Sequence, residues 1–121
     1  MAGAVHIPWY ATGLRGDGFA EALAEVAPVA LRYGATAYSV YRYRDDRYKF
    51  LQSATFEDKL AWERYWGGPE MTRFRTLHQG WYQVPVVYQW TDVLIEGQLP
   101  ANGNGATRQS VTDGTEVGDT I

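Results

Sequence analysis

An imidazole is the natural side chain for taking a proton from a phenol or an activated carbon near neutral pH, and this chain of 121 residues has two, His6 and His78. Each can equally be a hydrogen-bonded or exposed histidine with no part in chemistry. Around them the aromatic share is high, 15%, with nine Tyr and five Trp. Tyr10, Tyr38, Trp62, Trp66 and Tyr82 can wall a dry pocket with stacking surfaces, and Arg42 or Arg73 can hold an oxyanion at its edge. The competing reading is that Trp and Tyr at helical or pleat spacing build the core and an interface between copies. A phenolic hydroxyl inside a core still needs a partner, and nine tyrosines are many to satisfy in one small domain. A polar-edged cavity would satisfy them.

Other chemistries are excluded or weak. The chain has no cysteine, so it has no disulfide, thiol nucleophile, thiolate metal site or iron–sulfur cluster. Two histidines with no carboxylate at ligand spacing give little support for a metal. The net charge is −3, with Arg42, Arg44 and Arg47 offset by Asp45 and Asp46, so no nucleic-acid partner is expected. Gly13, Gly16 and Gly18 have the wrong spacing for a dinucleotide loop, and no Gly-x-Ser-x-Gly elbow occurs. No apolar run approaches the ~20 residues that span a bilayer and no signal peptide opens the chain, so a cytoplasmic protein off the membrane is expected.

The elements that must position these residues follow from periodicity. Val5, Ile7, Trp9 and Ala11 alternate with His6, Pro8, Tyr10 and Thr12, a strand with two different faces. Pro8 lacks a ladder donor, which predicts an edge strand or a bulge there. Phe19, Leu23, Val26, Ala27, Ala30 and Leu31 make one helical stripe over 19–32, with Asp17 as a cap, a kink or break at Pro28, and Gly34 as the stop. Residues 35–44 and 48–56 read as two strands joined by the polar turn Arg44-Asp45-Asp46-Arg47. An aromatic helix follows, capped from Thr55 or Glu57–Asp58 and carrying Trp62, Tyr65 and Trp66; Gly67-Gly68-Pro69 interrupts it. Residues 81–96 predict one long strand bent at Pro85, or two short ones. Beyond Gly97 the composition turns to Gly, Pro, Asn, Thr and Ser, which predicts a domain over 1–97 and a disordered tail over 98–121.

The order β-α-β-β-α-β gives an α+β, ferredoxin-like split-βαβ sheet with both helices on one face. The strands carry apolar or aromatic residues on both sides, so the uncovered face calls for a partner, and a second copy set sheet against sheet is the simplest cover. A homodimer is therefore expected. With that order, the segment FLQSATFEDKLAWERYWGGPEMTRF resembles the dimeric α+β-barrel superfamily, and within it the antibiotic-biosynthesis-monooxygenase-like group. The resemblance implies a small-molecule enzyme, in one form a cofactor-free monooxygenase, or an isomerase or cyclase, on an aromatic or polyketide-like substrate. In such enzymes a bound phenol loses a proton and its carbanion reacts with oxygen. His6 or His78 would be the base here, with Tyr10, Tyr38, Trp62, Trp66, Tyr82 and Arg73 around the substrate and no cofactor. The alternative is a non-catalytic dimer that binds a small hydrophobic ligand or haem. Haem-degrading relatives would place a His ligand at His78 and a Trp at Trp66, but the Asn they carry on the first strand is missing, since Asn102 and Asn104 lie in the tail.

Overall fold

The computed structural model describes residues 1–100. Its elements are β1 (Gly3–Tyr10), α1 (Gly16–Val26), a 3-10 segment (Ala27–Tyr33), β2 (Ala35–Arg42), β3 (Lys49–Phe56), α2 (Lys59–Trp66), α3 (Pro69–Leu77) and β4 (Gln89–Asp92). The strands form one antiparallel sheet in the order β2-β3-β1-β4. This is the α+β ferredoxin-like arrangement expected from the element order. Of the tail expected from residue 98, residues 101–121 lie outside the described residues.

Alternation decides which sheet face the helices cover. Val5, Ile7 and Trp9 of β1 point the same way as Phe50, Gln52, Ala54 and Phe56 of β3, and all are buried. Phe19, Leu23 and Val26 of α1, Trp62 and Tyr65 of α2, and Met71 and Phe74 of α3 close over them. His6, Pro8 and Tyr10 of β1 lie on the opposite face, in register with Ser53, Leu51 and Lys49 of β3.

Pro28 breaks the first helix, as its missing donor and its ring require. α1 ends at Val26, and residues 27–33 tighten into 3-10 turns with Pro28 in their first turn. Gly34 stops them at φ 100, a left-handed conformation that favours glycine. Asp17 sits in the first turn of α1 and makes no capping bond. Asp58 does cap α2: its side chain accepts from Ala61 N at 2.9 Å.

One sequence expectation changes and another narrows. Pro8 does not mark an edge strand, because β1 lies between β3 and β4; the ladder to β4 runs only over Gly3–His6 and stops short of Pro8. Residues 81–96 take the second of the two readings, short pieces on either side of Pro85 and not one long strand, with only Gln89–Asp92 a full strand. Tyr82 bridges to Ala11 and Gln89 pairs with His6, so the chain takes seven steps from 82 to 89 while β1 takes five from 6 to 11. The two extra residues fall around Pro85, which has no N–H to give to a ladder, and the pairing resumes at Gln89. Trp81, Tyr82, Val86 and Tyr88 pack on the core, while Val84 and Val87 are exposed.

Candidate functional site

The sequence-selected residues fall into distinct places. His6 and Tyr10 stand on the uncovered sheet face. Thr91 Oγ1 donates to Ala4 O at 3.0 Å, so it accepts from His6 Nε2 at 3.3 Å; His6 Nδ1 is then left to accept from Ser53 Oγ at 3.0 Å. Both ring nitrogens of His6 are engaged. Tyr10 donates to Asp46 Oδ2 at 2.6 Å, a bond that raises the pKa of the phenol and lowers that of the carboxyl. Tyr38 lies on the edge strand β2, opposite Ala54, and is partly exposed. Arg42 is committed to structure: it pairs with Asp17 at 2.9 Å, donates to Arg47 O at 2.7 Å and lies over Phe50.

His78 and Arg73 come together in a cleft between α1 and α3. The cleft has a volume of about 230 Å³ and is lined by Ala22, Val26 and Val29 below, with Phe74 and Leu77 opposite and Glu25, Glu70, Arg73 and His78 supplying polar groups. His78 follows the last turn of α3, and its Nδ1 lies 2.7 Å from Phe74 O. A carbonyl only accepts, so Nδ1 carries the proton and Nε2 remains the basic atom of the neutral ring. The ring is wedged between Phe74, at 4.9 Å, and Trp81, at 4.8 Å, with Arg15 stacked on the far partner at 4.8 Å from its centroid. Arg73 has no carboxylate within ion-pair distance among the described residues. Glu70 is engaged: it accepts from Tyr33 at 2.6 Å, the main reason its pKa is lowered, and lies 3.4 Å from Arg32.

Trp62, Trp66 and Tyr82 belong to a third place, the aromatic core on the far side of α3. Trp66 stacks near Trp62 at 5.4 Å, and Tyr82 meets Trp9 edge-on at 5.0 Å. Arg75, which sequence reasoning passed over, lies 4.1 Å over the Trp66 ring and donates to Trp66 O at 2.9 Å. Burial lowers the pKa of Arg75 and raises that of Tyr82, and the charge of each opposes the other's shift. The signal was in the helical period. Residues 73 and 75 flank the inward Phe74 on opposite sides, so one arginine faces α1 and the other faces α2. Trp62 Nε1 is buried there without a partner. Trp66 does not line the cleft that His78 lines, so the pair implied for haem is not assembled in one pocket. No group of His, Cys, Asp and Glu among the described residues is gathered for a metal.

No family model and no curated protein matches the chain. Solved structures do. A cofactor-independent oxygenase from Streptomyces nogalater, SnoaB, aligns at 16% identity and TM-score 0.67, over 78% of this chain and 95% of that one. A structure described as an antibiotic biosynthesis monooxygenase aligns at 14% identity and TM-score 0.68, over 78% and 100%. A protein of unknown function from Nitrosomonas europaea aligns at 19% identity and TM-score 0.70, over 84% and 96%. At these identities the likeness is one of fold: the chain has the α+β fold of the antibiotic-biosynthesis-monooxygenase-like structures.

Proposed function

We propose that the chain is a small-molecule enzyme of this type, a cofactor-free monooxygenase for an aromatic substrate, and that the α1–α3 cleft is its site. The observation that carries the reading is His78, whose Nδ1 is anchored on Phe74 O beside an apolar-floored cleft that also holds Arg73. With Nε2 as the base, a bound phenol loses its proton and the charge delocalises onto ring carbon. That carbon adds dioxygen, and the hydroperoxide collapses to a carbonyl with release of water, so one phenol and one dioxygen give one quinone and one water. The protein supplies the base, an apolar wall and a cation for the oxyanion. His6 has both ring nitrogens engaged in hydrogen bonds, so neither faces a substrate.

The same chain is proposed to act as a homodimer. The uncovered sheet face presents Pro8, Tyr41 and Leu51, and just past β4 Leu94 and Ile95 are 86% and 89% exposed. A second copy would cover both.

Oxygen uptake with phenol, salicylate and 3-hydroxybenzoate as probes, followed with quinone absorbance, tests the catalytic reading. His78→Ala is expected to lose at least about a hundredfold in turnover, the usual worth of a general base, while His6→Ala keeps most of it. The reverse order would overturn the assignment of the base, and no uptake with any probe would leave the cleft as a binding site only. No helix of the described residues is long and apolar enough to cross a membrane.

A further inference from the structure

We infer that the α1–α3 cleft selects a compact aromatic anion, one ring bearing a carboxylate, and excludes the polycyclic phenols and haem that the fold's wider resemblance implies. The inference rests on the cleft being the ligand site, and it concerns what the site admits.

Size gives the first part. An apolar cavity of about 150 Å³ already holds a benzene ring, and drug-sized ligands occupy pockets of about 300–1,000 Å³. At about 230 Å³ the cleft takes one ring and a polar substituent between its walls, whereas four fused rings or a porphyrin would project out of it. Its floor and walls, Val26, Val29, Phe74 and Leu77, suit the faces of that ring.

Charge gives the second part. Of the two cleft carboxylates, Glu70 is already bound by Tyr33 and Arg32. Arg73 is left without an acid partner among the described residues, so it offers a planar fork for a carboxylate. Glu25, on the α1 side, is exposed and forms no ion pair among the described residues. It repels an anion from that wall and leaves the α3 side, with Arg73 and His78, as the place for the charged end.

Salicylate, salicyl alcohol and pyrenecarboxylate titrated into the full chain, with NMR signals of Val26, Leu77 and His78 as the readout, separate the claims. Salicylate is expected to move these signals with an affinity at least about tenfold above that of the neutral alcohol, and pyrenecarboxylate is expected to leave them in place. Arg73→Gln should weaken salicylate about tenfold without changing the alcohol, Arg73→Lys should restore part of the loss, and Glu25→Gln should strengthen salicylate about two- to threefold. Equal affinity for salicylate and its alcohol would overturn the anion assignment, and pyrenecarboxylate moving the same signals would overturn the size limit. Either result leaves the cleft as a ligand site. If no probe moves any cleft residue, the cleft reading falls with the inference.

Discussion

His6 and His78 carry the same ring in opposite tautomers, and their partners decide it. Thr91 commits its proton to a backbone carbonyl and forces His6 to donate from Nε2; Phe74 O forces His78 to donate from Nδ1. The Phe74 carbonyl lies one helical turn before His78, whereas the Thr91 partner could not be read from the sequence, because that contact closes only when β1 and β4 pair. The same holds for the buried phenol. Tyr65 donates to Val26 O at 2.8 Å and receives Gln52 Nε2 at 3.2 Å, while Gln52 Oε1 accepts from Trp9 Nε1 at 2.9 Å. A single glutamine on the inward face of β3 thus satisfies two core aromatics with no cavity, and the other core tryptophan is left over. Trp9→Phe would strand the carbonyl of Gln52, whereas Trp62→Phe would remove a donor that has no acceptor. Trp9→Phe is therefore expected to cost about 1–3 kcal/mol more than Trp62→Phe in urea unfolding. Equal costs would contradict the network. Tyr65 also sets an alkaline limit. Burial, the first cause, pushes its pKa from 10.0 to about 12. The folded state favours the neutral phenol, so the contribution is complete below the ordinary phenol value of 10.0 and is lost as pH rises towards about 12, by about 3 kcal/mol in all. Tyr65→Phe should be less stable at neutral pH by about 1–3 kcal/mol and lose less above pH ~10, as pH-dependent unfolding curves would show.

At the scale of elements, the parts governed by local chemistry were legible and the parts governed by pairing were not. Pro28 splits the first helix because the missing N–H acts whatever surrounds it, and Gly34 and Asp58 end and start elements by their own conformational and hydrogen-bonding preferences. Gly34→Ala puts a Cβ on a backbone at φ 100 and is expected to cost about 1–2 kcal/mol. Asp58→Ala should cost about 1 kcal/mol, and Asp58→Ser much less; thermal unfolding measures all three. Over residues 81–96 the strand length stayed open in the sequence, because aromatic and β-branched composition favours a strand wherever a partner exists. Here the register against β1 slips by two residues around Pro85, and Trp81, Tyr82, Val86 and Tyr88 pack on the core from an irregular segment. Arg73 and Arg75 show the limit for the site: helical spacing places them on opposite flanks, but only the neighbouring helices determine which flank opens into a cleft.

At the scale of the molecule, one sheet face is covered and the other is not. Helices fill the first with aromatic rings, and the second carries the His6 network, Tyr41 and Leu51. For the proposed homodimer, Leu51→Asp would place a charge in the middle of that face, and Ile95→Asp one on the segment beyond β4. Each is expected to shift light-scattering mass from dimer towards monomer, and a wild-type monomer at micromolar concentration would contradict the dimer outright. The α1–α3 cleft lies in the helical layer, away from that face, so ligand binding should survive in such a monomer. The most direct test of the cleft fills it without touching His78 or Arg73: Ala22, a half-buried wall residue on α1, replaced by Phe. Calorimetric titration of salicylate into wild type and Ala22→Phe should give one site per chain in the first and at least about tenfold weaker binding in the second, with unchanged thermal unfolding. Unchanged affinity and stoichiometry in Ala22→Phe would place the ligand elsewhere and contradict the account.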